Sequence, residues 1–213
     1  MLNRKCNKKR RIKMGINEIF DFGIDFSKMK KAEVIRDIFI FFIIYCIVGW
    51  IYEGIVFVVE EHQLLNRGFL FGPWLPIYGV GGLLITIIFY RTKNKPIKIG
   101  KVNIRPLIIY LESCILATAV ELATTYIIDY NGGNFKTLWD YSENFMNFQG
   151  RIALIPDAKF GIIALISIYW MQPMLNRFVL NNKKVVNTLA ISTLTLFSID
   201  LISRIWLGSN FVG

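Results

Sequence analysis

Histidine and cysteine are scarce in this sequence, which contains one histidine, His62, and three cysteines, Cys6, Cys46 and Cys114, far apart along the chain. A single imidazole excludes a histidine-rich metal site, and cysteines at these spacings predict neither a disulfide framework nor a metal-binding motif. The phosphate-binding pattern G-x-x-x-x-G-K-[ST] is also missing, so the chain does not itself supply ATP hydrolysis. We therefore expect no metal, no cofactor and no enzymatic activity.

Negative charge is scarce too, because 15 acidic residues stand against 25 lysines and arginines, for a formal net charge of +10. Of the 25 basic residues, 20 fall into three blocks within residues 1–36, 91–105 and 177–184, and long apolar runs separate the blocks. Basic residues gather in the cytoplasmic loops of membrane proteins, where they face anionic lipid headgroups. Basic and aromatic residues are not interleaved, so we expect no nucleic-acid partner.

The apolar runs predict an all-α, polytopic membrane protein with a bundle of five transmembrane helices, because most are long enough to cross a hydrocarbon core about 30 Å thick. The predicted spans, within a domain of residues 37–213, cover residues 37–59, 73–90, 106–128, 156–172 and 185–207. This arrangement places all three basic blocks on one side. The positive-inside rule then predicts a cytoplasmic N-terminus and an external C-terminus, in a multi-pass protein of the cell membrane.

Residues 1–36 are predicted to form a basic cytoplasmic tail. Apolar residues recur in it at intervals of three and four: Ile12, Ile16, Ile19, Phe20 and Ile24. This helical period, next to lysines and just before a span, favours an amphipathic helix on the inner leaflet surface, with docking to a partner as the alternative. No small-residue cleavage pattern follows the first apolar run, so we expect a retained anchor and not a cleaved signal peptide.

A loop rich in glycine and proline, residues 66–79 with the sequence NRGFLFGPWLPIYG, joins the first two predicted spans. Both prolines can lie in the first turn of the second helix, where backbone N–H groups lack intrahelical partners. A connecting turn and a functional loop at the outer mouth of that helix are both compatible with the pattern. The residues of interest are Asn66, Gly68, Gly72, Pro73, Pro76, Tyr78 and Gly79.

Charged residues lie inside or beside the predicted spans, and a charge at the middle of a membrane helix costs about 2.5–3.5 kcal/mol. Such residues therefore need partners from protein or water. At about 1.5 Å per residue, several of them fall in the outer half of the bilayer, which predicts a polar layer or cavity that opens outward. Its predicted members are Glu53, Arg67, Glu121, Arg151, Lys159, Asp200 and Arg204.

Partners within this predicted layer follow from spacing. Asp200 and Arg204 are four residues apart, which favours a pair on one helix face. Glu53 and Glu121 have no such partner in their own helices, so the candidates are the arginines at the ends of the adjoining external segments, 67 and 151. These charges either line a substrate or ion pathway or fix the packing of the helices.

Two motifs carry a family resemblance. In the first, Gly49-Trp50 precedes Glu53 and the loop described above; in the second, Glu121 precedes WDYS at 139–142 and NFQGRI at 147–152. Together, over residues 39–165, they resemble the family called putative ABC-transporter type IV, also known as CmpB-like membrane proteins. The resemblance implies a polytopic membrane protein that serves as a permease-like component. Where that family commonly has a cysteine in the proline loop, this chain has Leu75.

The segment between the third and fourth predicted spans combines aromatic and polar residues, which is typical of a membrane interface. Its candidate residues are Trp139, Asp140, Tyr141, Ser142, Asn147 and Gly150. Asp140 and Ser142 either cap a short surface helix or line the mouth of a cavity.

An ATP-driven transporter would need a separate ATPase docked on the cytoplasmic loops, on residues 91–105 or on the basic tail. Five helices are few for an alternating-access carrier, so we also expect a homo-oligomer or a heteromer within the lipid bilayer. A non-transporting scaffold or regulator is the alternative. An enzyme that modifies lipid headgroups through its carboxylates is disfavoured, because no nucleophile lies beside an evident base.

Overall fold

The computed structural model of the chain describes residues 22–61, 68, 70–137 and 139–207, and this part is mostly helical. The helices are α1 (Lys31–Glu61), α2 (Pro76–Asn94), α3 (Arg105–Tyr130), α4 (Leu154–Ile166), α5 (Gln172–Asn181) and α6 (Lys183–Leu207). Two short 3-10 turns, Phe26–Lys28 and Phe135–Thr137, lie outside them. The predicted helical class is confirmed, with the addition of a small antiparallel hairpin formed by β1 (Lys98–Ile99) and β2 (Val102–Asn103).

Four helical stretches in the described part of the chain are long and apolar enough to cross a membrane. They are Lys31–Val59, Arg105–Tyr130, Leu154–Asn181 and Lys183–Leu207. The predicted second span, now α2, is not one of these four; it has 19 residues and carries Arg91 and Lys93 in its last turn. The count of five spans and the orientation with the N-terminus inside therefore stay predictions.

The helical stretch that contains the predicted fourth span, residues 156–172, is longer than that span. After α4 the chain continues through a π-helical turn, Ser167–Met171, directly into α5. Gln172, the last residue of the predicted span, is fully buried and accepts a hydrogen bond from the Tyr45 hydroxyl at 2.9 Å. A buried polar side chain is tolerated inside a helix when it is hydrogen-bonded.

The helices belong to two compact units. The first comprises the described parts of Met1–Ile87 and Gln172–Gly213, and the second is Ile88–Met171. The chain passes from one unit to the other within α2 and again where the π-helical turn meets α5. Each unit holds its own set of the charged residues considered above.

In the first unit, α1 packs against α6. A glycine also allows close approach between α1 and α2, because a Cβ atom on Gly79 would overlap the ring of Phe42. The chain before α1 folds onto this unit: Phe22 is fully buried and its carbonyl accepts a hydrogen bond from Asn176 at 2.6 Å. Most of the predicted amphipathic helix lies outside the described residues, and its last residues, 22–24, form a bend.

In the second unit, α3 and α4 pack against each other along their lengths. The last turn of α2 joins them through Lys93, whose ammonium donates to the carbonyl of Ile168 in the π-helical turn at 3.1 Å. Burial lowers the pKa of Lys93 from its ordinary value. The hairpin that follows α2 is exposed along both strands.

Candidate functional site

The loop before α2 is held in place by Asp200 of α6. The carboxylate accepts hydrogen bonds from the backbone N–H groups of Phe71 at 3.0 Å and Gly72 at 2.8 Å, and from the indole N–H of Trp74 at 2.7 Å. Glycine is required at position 72, since a Cβ atom there would overlap the Trp74 ring and lie 3.0 Å from a carboxylate oxygen of Asp200. One acidic side chain therefore sets the path of the loop.

Arg204, one helical turn beyond Asp200, also contacts this loop. Its guanidinium lies 5.1 Å from the centre of the Phe71 ring, which is cation–π distance. Within the described residues, the donors to Asp200 come from the loop, so the predicted pair with Arg204 is not what satisfies the carboxylate. Asp200 and Arg204 of α6 therefore both contact the loop.

Glu53 of α1 accepts a hydrogen bond from the hydroxyl of Tyr78, near the start of α2. Gly49, one turn before Glu53, makes room for the same tyrosine, because a Cβ atom at that position would overlap the Tyr78 ring. The spacing of the first motif is thus explained: glycine and glutamate hold one aromatic side chain between two helices. Arg67, the predicted partner of Glu53, lies outside the described residues, as does Asn66.

The two prolines of the loop differ in position. Pro76 is the first residue of α2, where its missing N–H costs little, while Pro73 lies in the loop before the helix. The prediction that both belong to the first turn was wrong for Pro73. Between them, the backbone N–H of Leu75 donates to the carbonyl of Cys46 at 3.2 Å and so attaches the loop to α1.

A pair of carboxyl groups forms the polar centre of the second unit. Glu121 of α3 and Asp157 of α4 lie within electrostatic interaction range of each other. The Tyr141 hydroxyl donates to Oε1 of Glu121 at 3.3 Å, and the Thr118 hydroxyl donates to Oδ2 of Asp157 at 2.7 Å. Asp157 is only 8% exposed. The other two oxygens, Oε2 of Glu121 and Oδ1 of Asp157, are buried and have no hydrogen-bond partner among the described residues.

Asp157 is the second residue of the predicted fourth span, residues 156–172, but the predicted polar layer did not include it. The signal that could have identified it is its position. An acidic residue directly after a proline, at the start of an apolar run, has little water around it and therefore needs a partner. Its partner is 36 residues away in the sequence, so spacing within one helix did not reveal the pair.

Arg151, the predicted partner of Glu121, contacts a different acid. Its guanidinium lies 2.5 Å from the carboxylate of Asp129 and is packed against the rings of Tyr126, at 4.4 Å, and Phe135, at 4.3 Å. Asp129 is eight residues beyond Glu121 on α3, or about 12 Å along the helix axis. The aromatic side chains thus hold the arginine near the end of α3, and the prediction of an Arg151–Glu121 pair is corrected.

The segment between α3 and α4, which was predicted to be external, is a tightly bonded turn. Asp140 accepts hydrogen bonds from the hydroxyl of Ser142 at 2.5 Å, from its backbone N–H at 3.0 Å, and from Lys136 at 2.9 Å. These donors, those of Ser142 first, lower the pKa of Asp140 to about 2. Asn147 donates to the carbonyl of Ser142 and accepts from the backbone N–H of Gly150. Asp140 and Ser142 therefore close a turn, and the helix-capping interpretation is wrong.

Two aromatic residues connect this turn to the carboxyl pair. The indole N–H of Trp139 donates to the carbonyl of Arg151 at 2.9 Å, and the Trp139 ring lies 6.5 Å from the ring of Tyr141. Tyr141 in turn contacts Glu121. The conformation of the segment between α3 and α4 thus fixes the hydroxyl group that faces α3.

The predicted polar layer is divided between the two units. Glu53, Asp200 and Arg204 belong to the first, and Glu121, Arg151 and Lys159 belong to the second. A single layer made by all of them stays a prediction. Among the described residues, no group of three or more histidine, cysteine, aspartate or glutamate side chains could hold a metal ion.

Long apolar helices that carry carboxyl groups between them define the chain as a helical membrane protein. A family described as "Putative ABC-transporter type IV" matches residues 40–205, and the chain belongs to this family. The resemblance predicted from the two motifs is confirmed. No curated protein and no solved structure matches the chain.

Proposed function

We propose that the chain is the permease-like component of a transporter and that Glu121 and Asp157 belong to its pathway. The observation that supports this proposal is the pair of buried carboxyl oxygens without hydrogen-bond partners in the described part of the chain, between two apolar helices. Ionisable groups inside a membrane segment are costly and mark substrate, ion or proton pathways by default. Membership of an ABC-transporter-related family points in the same direction.

Energy for such transport would come from another protein, because the sequence lacks an ATP-binding phosphate loop. The exposed hairpin after α2 is the docking surface that we propose for this ATPase. Ile99 and Val102 are 68% and 65% exposed, and Lys98 and Lys101 flank them. Exposed apolar side chains with a basic rim suit a partner that offers an apolar cleft bordered by acids. On this proposal the protein is a multi-pass subunit of a homo- or heteromeric assembly in the cell membrane.

Co-purification tests this assembly. The full chain is purified from its native membrane in mild detergent, and the eluate is assayed for ATP hydrolysis and for a nucleotide-binding partner. We expect both in the wild type and a loss of both in the double variant Ile99→Ser/Val102→Ser. Ile162→Ser in α4 is the matched control, because it also replaces an exposed isoleucine but lies outside the hairpin. An eluate without ATPase from the wild type would contradict the ATP-driven form of the proposal.

A non-transporting scaffold is the second candidate, and the contacts of Asp200 favour it. That carboxylate is explained by structure alone, since each of its oxygens accepts hydrogen bonds from the loop. The two candidates differ in what happens when Glu121 becomes glutamine. A well-folded variant that keeps its partners but loses transport supports the permease, and a variant that fails only in assembly supports the scaffold.

A further inference from the structure

The carboxyl pair in the second unit raises a question of hydrogen-bond balance. Glu121 and Asp157 each have one oxygen bonded to a hydroxyl group and one buried oxygen with no partner among the described residues. Ionised carboxylates only accept hydrogen bonds, so two of them cannot satisfy each other. Two neighbouring negative charges in an apolar surrounding also repel each other strongly.

One proton removes both difficulties. A protonated carboxyl group donates through its O–H, and the neighbouring carboxylate accepts. The pair then carries a single negative charge. The first turn of α4 favours that charge on Asp157, because the N-terminal end of a helix stabilises an anion.

Among the described residues, no cation is shown in contact with the pair. Those that act on Glu121 are Asp157 from α4 and Tyr141 from the external segment, and Thr118 of α3 faces Asp157. Lys159, two residues along α4 from Asp157, is about 200° around the helix and exposed.

The other cations of the external segment are engaged elsewhere. Arg151 pairs with Asp129, and Lys136 pairs with Asp140. Neither basic group therefore neutralises the carboxyl pair, which leaves the proton as the positive charge that completes it.

We propose that Glu121 and Asp157 form a proton-binding site that holds one shared proton, carried by Oε2 of Glu121 and donated to Oδ1 of Asp157. Tyr141 and Thr118 donate to the other two oxygens, Oε1 of Glu121 and Oδ2 of Asp157. These hydrogen bonds orient Oε2 and Oδ1 toward the proton. Release and uptake of this proton would move a proton along the proposed pathway, while the ATPase supplies the energy. That role in transport rests on the proposed function, whereas occupancy of the site by a proton does not.

Infrared spectroscopy of the full chain in lipid nanodiscs tests the site. A protonated carboxyl group gives a carbonyl stretching band that a carboxylate lacks. At neutral pH we expect this band in the wild type and its loss in both Glu121→Gln and Asp157→Asn. Glu112→Gln is the matched control, because Glu112 is an exposed glutamate on the same helix, and we expect this variant to keep the band.

Tyr141→Phe provides a variant that keeps both carboxyl groups. It removes the hydroxyl group that donates to Glu121, so we expect the band to remain and to change frequency. This measurement tests the site even if the two acid variants do not fold, which size-exclusion chromatography would reveal.

Three results would overturn the proposal. The first is a wild-type spectrum without a protonated carboxyl band at neutral pH. The second is a band that survives in folded Glu121→Gln and Asp157→Asn. The third is a band that sodium or potassium ions abolish at constant pH, which would make the pair a site for a metal cation. Failure of the ATPase to co-purify would instead count against the proposed function and leave the band unchanged.

Discussion

Replacement of Asp200 by alanine should loosen the loop before α2 and destabilise the first unit. The aspartate makes three charge-assisted hydrogen bonds, of which those to Gly72 and Trp74 are partly buried. A hydrogen bond to a charged group contributes about 1.5–3 kcal/mol, and the exposed bond to Phe71 contributes little because water replaces it. We therefore expect Asp200→Ala to lower the free energy of unfolding by about 3–6 kcal/mol.

Asparagine at the same position should have a smaller effect. It keeps one acceptor oxygen for the two partly buried donors, but a neutral acceptor contributes only about 0.5–1.5 kcal/mol per bond. The expected loss is about 2–3 kcal/mol, or roughly 4–12 °C in the midpoint of thermal unfolding for a chain of this size. The assay is thermal unfolding in detergent, followed by fluorescence-detected size-exclusion chromatography.

Two further variants make this prediction sharp. Thr195→Val on the same helix is the control, since that hydroxyl group is exposed and donates to Ile191 within α6. Gly72→Ala attacks the same contact from the loop side, because the added Cβ atom would displace Trp74 or Asp200. The losses of Gly72→Ala and Asp200→Ala should therefore not add in the double variant. Wild-type stability in Asp200→Ala, or strictly additive losses, would refute the reasoning.

Three other predictions follow from single contacts. Tyr78→Phe removes the hydrogen bond to Glu53 and should lower the thermal midpoint, whereas Tyr130→Phe, an exposed tyrosine, should not. Asp140 has a pKa of about 2, below the 3.8 of an unperturbed aspartate, so its stabilisation of the turn between α3 and α4 is complete above about pH 4 and is lost as the pH falls through 2. Limited proteolysis of that turn should accelerate over this range in the wild type and should be fast and pH-independent in Asp140→Asn. Arg151→Lys should loosen the same segment at neutral pH, because lysine lacks the planar group that packs against two rings and contacts Asp129. Faster hydrogen exchange of the backbone amides in this segment would detect the change.

The helices were predictable because each follows from a local property of the sequence. Apolar runs marked both ends of α1, α3 and α6 to within a few residues, except that α1 begins earlier, at Lys31. Pro76 and Pro106 fit the starts of α2 and α3, where proline is favoured. At Gln172, the local part of its bonding, the amide donating to Asn176 four residues later, follows from helical spacing, but the hydrogen bond that its side-chain oxygen accepts comes from Tyr45, 127 residues away, and has no local signal.

Partners of charged residues were less predictable than their positions. The sequence indicated that Glu121 needed a partner but suggested the nearest arginine in the adjoining segment. In the structure that arginine, Arg151, instead contacts Asp129. The rings of Tyr126 and Phe135 pack against its planar guanidinium beside this acid. Packing against aromatic rings therefore decided which acid Arg151 contacts. A prediction that matches only opposite charges does not take this packing into account.

The two acid sites also differ in how completely they are satisfied, which separates structure from function. Asp200 has donors on both oxygens, so its role in the described contacts is complete without a ligand. Glu121 and Asp157 each keep one buried oxygen without a described partner. A buried polar atom without a partner costs free energy, so stability alone does not account for these two residues. A substitution that removes only charge should therefore destabilise the chain at Asp200, whereas at the carboxyl pair it should leave the fold intact and remove the bound proton.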